Sequence, residues 1–323
     1  MTPSMPDDAT IEAAIALATR APSIQNTQPW RFRVDDVGVH LYADSTLRLP
    51  ATDPDGRDLL LSCGAVLHHL EVAFGSLGWA CDVHRMPRLY HHDHLATIEL
   101  SPHSPTSEEI DLARAITQRR SDRRQYDSRP VPPGLLRELL DRADELGVTA
   151  RELPEGDPRA RLSEAIRAVG LIHARNTAYQ SELQAWTGGR GLTDGVPASN
   201  ASRSAPDAEF PNRAFANAAV DQPAGPDAAT VIALGTARDD PEARLRAGEA
   251  ASAVLLGATR LGMATCPLTE PLEIADIRAQ LGQELLGARL SQQILIRVGW
   301  PDSSAAELPE TPRRPVAEVL DRR

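Results

Sequence analysis

The sequence contains no lysine; all 34 of its basic residues are arginine. That absence excludes Schiff-base catalysis and a lysine anchor for pyridoxal phosphate. Any anionic ligand must be held by guanidinium groups, backbone N–H groups or hydroxyls. Cysteine is scarce too. Cys63, Cys81 and Cys266 are odd in number and form no CxxC pair, which suits free thiols in a reducing compartment. No run approaches eighteen uninterrupted apolar residues, so no membrane-spanning helix is expected. Residues Met1 to Asp8 show no basic start and no apolar stretch, so no secretory signal is read there and a cytoplasmic protein is expected. An excess of positive charge is missing as well. The formal net charge of −11 has the wrong sign for a general nucleic-acid binder, whose affinity rests on phosphate neutralisation.

What is present is a 323-residue chain with 41% hydrophobic residues, long for one core and comfortable for two half-size units. Ile11, Ala14, Ile15 and Ala18 form a helical stripe capped by Asp8 or Thr10 and ended by Pro22. Strands follow at 31–34 and 39–42, then a helix over 58–77 that Asp53, Asp55 and Asp58 complement at its positive end. His68 and His69 are adjacent and are not expected to share a helix face. His91-His92-Asp93-His94 precedes a strand over 95–100. Without a matching Cys/His set elsewhere, neither histidine group makes a metal site. Further helices are predicted after Thr106-x-x-Glu109, after Pro132-Pro133 as far as Gly147, and from 158 to 186 with a stop at Gly188-Gly189. Residues 187–228 are rich in Gly, Pro, Ala, Ser and Asn, and a loop of that length is a functional cover or a linker. A strand over 230–234, helices over 241–261 and 272–281, and a strand over 293–298 complete the pattern. A weak internal repeat relates Gly64 and Gly78 to Gly248 and Gly262, each helix ending in Leu-Gly-x-Ala.

The most chemical stretch is Arg119-Arg120-Ser121-Asp122-Arg123-Arg124. It ends an amphipathic helix, so its arginines either complement the helix dipole in water or bind a phosphate-bearing ligand. Pro22-Ser23-x-x-Asn26-x-Gln28-Pro29-Trp30 reads either as a polar turn anchored by Trp30 or as part of a site.

Taken together with Leu261-Gly262-Met263-Ala264 leading to Pro267, and with Pro312-Arg313-Arg314-Pro315, these pieces resemble the flavin-binding nitroreductase superfamily over almost the whole chain. The resemblance is to its Acg-like branch, in which two nitroreductase-like halves share one polypeptide. It implies an α+β fold in a single-chain pseudo-dimer of two antiparallel-sheet and helix halves, residues 1–105 and 106–323, with 187–228 as a lid. Only the first half carries Pro-Ser-x-x-Asn and only the second carries Arg-Arg-Ser, so one composite FMN site is expected.

In that site the resemblance gives Arg119, Arg120, Ser121 and Arg313 to the phosphate and Arg123 to the flavin N1 and O2 edge. Pro267, Leu268 and Thr269 lie at N5, and Pro22, Ser23 and Asn26 cover the ring. Thr311 stands where many relatives have a lysine. No side chain is needed as a nucleophile or metal ligand, since FMN carries the redox chemistry. The implied function is a two-electron, ping-pong oxidoreductase that takes hydride from NAD(P)H to a small acceptor such as a nitroaromatic or a quinone. The alternatives are a non-turnover protein that sequesters FMN under its lid, and a sugar-phosphate- or nucleotide-binding regulator using the same arginines. A monomer or a weak homodimer is expected, with a small molecule as its partner and neither nucleic acid nor a membrane.

Overall fold

The computed structural model of the chain describes residues 5–88, 91–187, 193–205, 207–215, 217–222 and 225–321. Helix α1 (Asp8–Ala18) buries the expected stripe, and the Asp7 carboxylate caps it by accepting the Thr10 N–H at 2.8 Å. The helix stops at Ala18, before Pro22. Strands β1 (Trp30–Val34) and β2 (Val39–Ala43) form a hairpin, helix α2 (Arg57–Ser76) crosses behind them, and β3 (Trp79–Arg85) and β4 (His94–Pro102) follow. Helix α3 (Ser107–Gln118) carries the capping box of Thr106 and Glu109 in full. Helix α4 (Pro133–Asp144) starts at the proline pair, and Gly147 turns the chain out at φ 74° into β5 (Thr149–Glu152).

The long helix expected over 158–186 is two helices, α5 (Asp157–Arg175) and α6 (Thr177–Ala185). Asn176 breaks it. Its backbone is extended, and its side chain accepts the Tyr179 N–H at 3.1 Å to cap α6. The Gly188-Gly189 stop lies outside the described residues. Within the 187–228 stretch, β6 (Ser202–Ser204) and β7 (Val220–Gln222) pair in parallel. Then come β8 (Thr230–Thr236), α7 (Pro241–Arg260), β9 (Ala264–Leu268), α8 (Ala275–Leu285), β10 (Ser291–Gly299), α9 (Val316–Val319) and β11 (Leu320–Asp321).

The two main sheets run in the orders β11-β1-β2-β4-β3 and β5-β8-β10-β9. All neighbours are antiparallel except β11, which runs parallel to β1 with Leu320 opposite Phe32. The architecture is thus α+β with antiparallel sheets. Of the strands that escaped the sequence pattern, three did so for plain physical reasons. β5 is four residues long, β3 is half exposed, and β9 contains Pro267, which is tolerated because β9 is an edge strand.

The core follows the two periodicities. Phe32, Leu41 and Ile98 from the first sheet pack on Ile15, Leu67 and Phe74 of α1 and α2. In β8, Val231 and Ala233 face α5 and α8, whereas Ile232 and Leu234 face α4 and α7. The second sheet is therefore covered on both faces. By length and composition α2 could cross a membrane, yet 78% of its apolar window is buried inside the protein.

Helices α2 and α7 are each twenty residues long, and each is followed by a leucine and a positive-φ glycine, Gly78 (89°) and Gly262 (80°). They cross at the eighth residue of each, Gly64 and Gly248. A Cβ on either glycine would lie 2.9 Å from the other's Cα and would strike the backbone carbonyl of Leu245 or Leu61, so only glycine permits the approach. His68 and His69 both bring Nδ1 within 2.8 Å of the Ser252 hydroxyl on α7, correcting the expectation that they diverge. His94 sits in β4 with its ring stacked on Tyr42 at 4.5 Å. No cluster of three potential metal ligands occurs among the described residues.

Candidate functional site

A cleft with roughly 1330 Å³ of empty space, part of it open to solvent, lies where α2 and α7 meet the turn after α3, strand β9 and the 193–215 segment. Pro22, Ser23, Asn26, Arg119, Arg120, Ser121, Arg123, Pro267, Leu268, Thr269 and Arg313 all lie on its wall. The structure thus brings every sequence-selected position to one cavity. Ser62, Ala65, Ala251, Leu255 and Ile294 add a largely apolar flank, the combination of apolar wall and few polar groups that typifies small-molecule sites.

One end of the cleft is positive. Arg119 is buried, its Nη2 donating to the Arg20 carbonyl at 3.3 Å while Nε and Nη1 have no partner among the described residues. Arg313 donates through Nη2 to the same carbonyl at 2.9 Å and through Nη1 to Thr311, leaving its Nε without a partner among the described residues. Burial pushes Arg119 down to about 10, helped by Arg120, Arg20 and Arg123; burial and then Arg119 push Arg313 down to about 9. The acidic partner recorded here is Glu310, which binds Arg20 at 2.7 Å and Arg120 at 3.1 Å on the exposed side. Buried guanidinium groups without counter-charge are costly. An anion with several acceptor oxygens would satisfy their free N–H groups.

The turn carrying these arginines is stiff. Ser121 bridges to Thr265, the Asp122 N–H donates to the Thr265 carbonyl at 2.8 Å, and Asp122 pairs with Arg124 at 2.6 Å. Beneath it the fully buried Arg297 donates to the Arg124 carbonyl at 2.9 Å, pairs with Asp227 and lies over the Tyr126 ring at 4.6 Å. Arg123 donates to the Asn200 carbonyl at 2.9 Å and lies over Phe215 at 4.9 Å. Both partners belong to the 187–228 stretch.

A neighbouring stretch of the wall is strained. Gln25, Asn26 and Gln28 hold φ of 46°, 56° and 53°, a left-handed region that costs a non-glycine residue about 1 kcal/mol or more. A dense set of bonds holds them there. Gln28 receives the Arg314 N–H at 2.9 Å and donates to the Thr193 carbonyl at 2.9 Å. Asn26 donates its amide to the carbonyls of Gly195 at 2.9 Å and Pro312 at 3.1 Å. Asn26 therefore ties the cleft wall to the cover and to the C-terminal segment.

Sequence reasoning missed an acidic and basic cluster at the other end of the cleft, where Asp58, Glu270 and Arg213 reach the wall. Asp53 fits its expected role, accepting the N–H groups of Asp58 at 3.0 Å and Leu59 at 2.8 Å. Asp58 instead pairs with Arg57 and is buried. Arg213 from the cover pairs with the buried Glu273, and His173 of α5 lies 3.2 Å from Glu270. A scatter of single charged residues over 58–273 leaves no local motif to read.

The sequence profile of the Nitroreductase family matches residues 116–300. The chain is 45% identical to "Putative NAD(P)H nitroreductase Rv3131" of Mycobacterium tuberculosis H37Rv over 99% of this chain and 94% of that one. It is 36% identical to "Putative NAD(P)H nitroreductase acg" of the same strain over 96% of this chain and 95% of that one. A crystal structure of a "putative nitroreductase" from Anabaena variabilis superposes with a TM-score of 0.52 at 11% identity, covering 93% of this chain and 90% of that one. The chain belongs to the nitroreductase family.

Proposed function

We propose that the chain is an FMN-dependent oxidoreductase that draws electrons from NAD(P)H and passes them to a small organic acceptor in two separate half-reactions. The observation that carries this is the arginine pair at one end of a mostly apolar cleft, Arg119 buried and Arg313 half-buried, whose inward N–H groups have no partner among the described residues. The residues fit FMN: Arg119 and Arg313 supply unpartnered donors for a dianionic phosphate, with Arg120 and Ser121 beside them. Leu255, Ile294, Pro267 and Leu268 offer an apolar slot for a planar ring, closed by Pro22, Ser23 and Asn26. When bound, FMN supplies the hydride chemistry. Arg123 provides a buried positive charge for a ring that gains negative charge, and Thr269 continues the polar edge of β9. The NAD(P)H in the names of its relatives supports the choice of donor.

The two halves, residues 1–105 and 106–323, form an intramolecular pseudo-dimer in this reading. Its support is the matched strand order of the two sheets and the reciprocal crossing of α2 and α7 at Gly64 and Gly248. A monomer in a reducing cytoplasm suits that arrangement and the free Cys63, Cys81 and Cys266. Residues 187–228 act as the lid, its described parts fastened through Asn200, Asn212 and Arg213. That fastening also favours a second reading, in which FMN is held without turnover.

The test is the absorbance spectrum after reconstitution with FMN, followed by anaerobic addition of NADPH and then NADH. Flavin bands that bleach within seconds support the enzyme and name its donor. Bands that persist until dithionite is added favour sequestration, and colourless protein defeats both readings.

A further inference from the structure

Beside the main cleft lies a smaller pocket with roughly 440 Å³ of empty space, walled by α5, α6 and the cover. Glu270 lies on the wall of both. Behind it His173, itself on the side-pocket wall, places Nδ1 3.2 Å from Glu270 Oε1 and Nε2 3.6 Å from Glu273 Oε2. Tyr179 stacks on the imidazole at 3.7 Å, and the Gln180 amide donates to the His173 carbonyl at 3.0 Å, so the ring is held in place. A carboxyl group at the cleft, an imidazole behind it and a second carboxyl group beyond form one continuous line. We propose that Glu270 is the catalytic acid of the cleft, giving a bound acceptor the proton that accompanies its two-electron reduction, and that His173 and Glu273 reload it from the side pocket.

The inference rests on the FMN reading above, because the hydride must come from a reduced flavin. For an acceptor with a polarised double bond X=Y, hydride adds to X as the Glu270 O–H breaks and a Y–H bond forms. Glu270 then takes a proton from His173, which is refilled from Glu273 or from water in the side pocket. One hydride and one proton are consumed per acceptor, and the carboxyl group is restored. Glu273 is faced by Arg213 from the cover, Arg57 and Asp58 at the start of α2, His173, Tyr179 and Glu270. Burial pushes Glu273 up to about 7 and Asp58 up to about 6, so the far end of the line can hold a proton near neutrality. Glu270 and His173 are positioned by contacts that do not involve the arginine end of the cleft, which separates proton supply from cofactor binding.

The test compares wild type with Glu270→Gln, Glu270→Asp, His173→Gln and Glu273→Gln. Glu270→Gln is expected to bind FMN and to be reduced by NAD(P)H within about threefold of wild type. Its reoxidation by a quinone should slow by about 100- to 1000-fold and lose its pH inflection, with partial recovery in Glu270→Asp and a smaller loss in His173→Gln. Independently of turnover, the difference between infrared spectra of the cofactor-free wild type and Glu273→Gln should contain a carboxylic-acid band titrating near pH 7, the buried Asp53 and Glu71 acids cancelling between the two. Wild-type reoxidation rate and pH profile in Glu270→Gln with FMN bound overturn the proposal alone, as does a wild-type minus Glu273→Gln difference spectrum that lacks the band. Wild type that binds no FMN removes the parent reading and this one together.

Discussion

Two corners of the α2–α7 pair are built alike and filled differently. Ala65 is the ninth residue of α2 and faces the cleft; Glu249 is the ninth residue of α7 and is fully buried. Arg85 of β3 meets Glu249 with a two-pronged pair, Nε to Oε2 at 2.9 Å and Nη2 to Oε1 at 2.6 Å. Glu71 lies beside it, its carboxyl pushed up to about 8 by burial and by Glu249. One corner closes its own charge, and the other leaves Arg119 and Arg313 with free N–H groups. The difference teaches that a shared scaffold yields a ligand site only where the charge is left incomplete.

The comparison is most directly broken from the filled side. Glu249→Ala strands Arg85 in the interior and should cost about 3–5 kcal/mol in urea unfolding, with part of the loss recovered by the additional Arg85→Met exchange. Placing the filled corner's residue in the open one, Ala65→Glu, should weaken FMN binding more than about 100-fold, or about 2.7 kcal/mol, in a flavin absorbance titration. Arg119→Ala should weaken FMN about 10- to 100-fold by loss of charge-assisted bonds. The melting temperature of the cofactor-free protein should not fall, because that guanidinium is unsatisfied without an anion.

The filled corner also has a pH signature. The Glu71 carboxyl is raised in the folded protein above its unfolded value, so the native state holds the extra proton between the two. The contribution of this group should be greatest below about pH 4.5 and decline toward pH 8, by at most about 1.4 kcal/mol per pH unit. Glu71→Gln should flatten that decline in urea midpoints measured across the range. Asn176→Ala, far from both corners, should cost about 1 kcal/mol through the α6 cap and leave FMN affinity unchanged.

Much of the open corner was legible because it is written in short contiguous pieces. Arg119 to Arg123, Pro22 to Asn26 and Pro267 to Thr269 each occupy one turn or strand, and folding brings these local groups together. The acid cluster was not legible. Asp58, His173, Arg213 and Glu270 come from separate elements, and each alone reads as a helix-end charge or a solvated side chain. Elements with strong periodicity, α2, α7 and β8, were visible for the same reason that they are buried. Those that failed depend on tertiary context: β9 runs through Pro267 because an edge strand can spare an N–H, and the α5–α6 break rests on one Asn176 side chain.

The parallel pairing of β11 with β1 bears on the order in which the protein can assemble. Arg313 hangs on the segment that leads to this strand, and Leu320 joins the sheet opposite Phe32 across almost the whole length of the chain. Such long-range pairings form late, because their loop-closure entropy must first be overcome. During synthesis the first sheet can gather around α1 and α2 while the arginine cradle still lacks its last member. The two arginines share the Arg20 carbonyl only once the returning strand has drawn Arg313 against it.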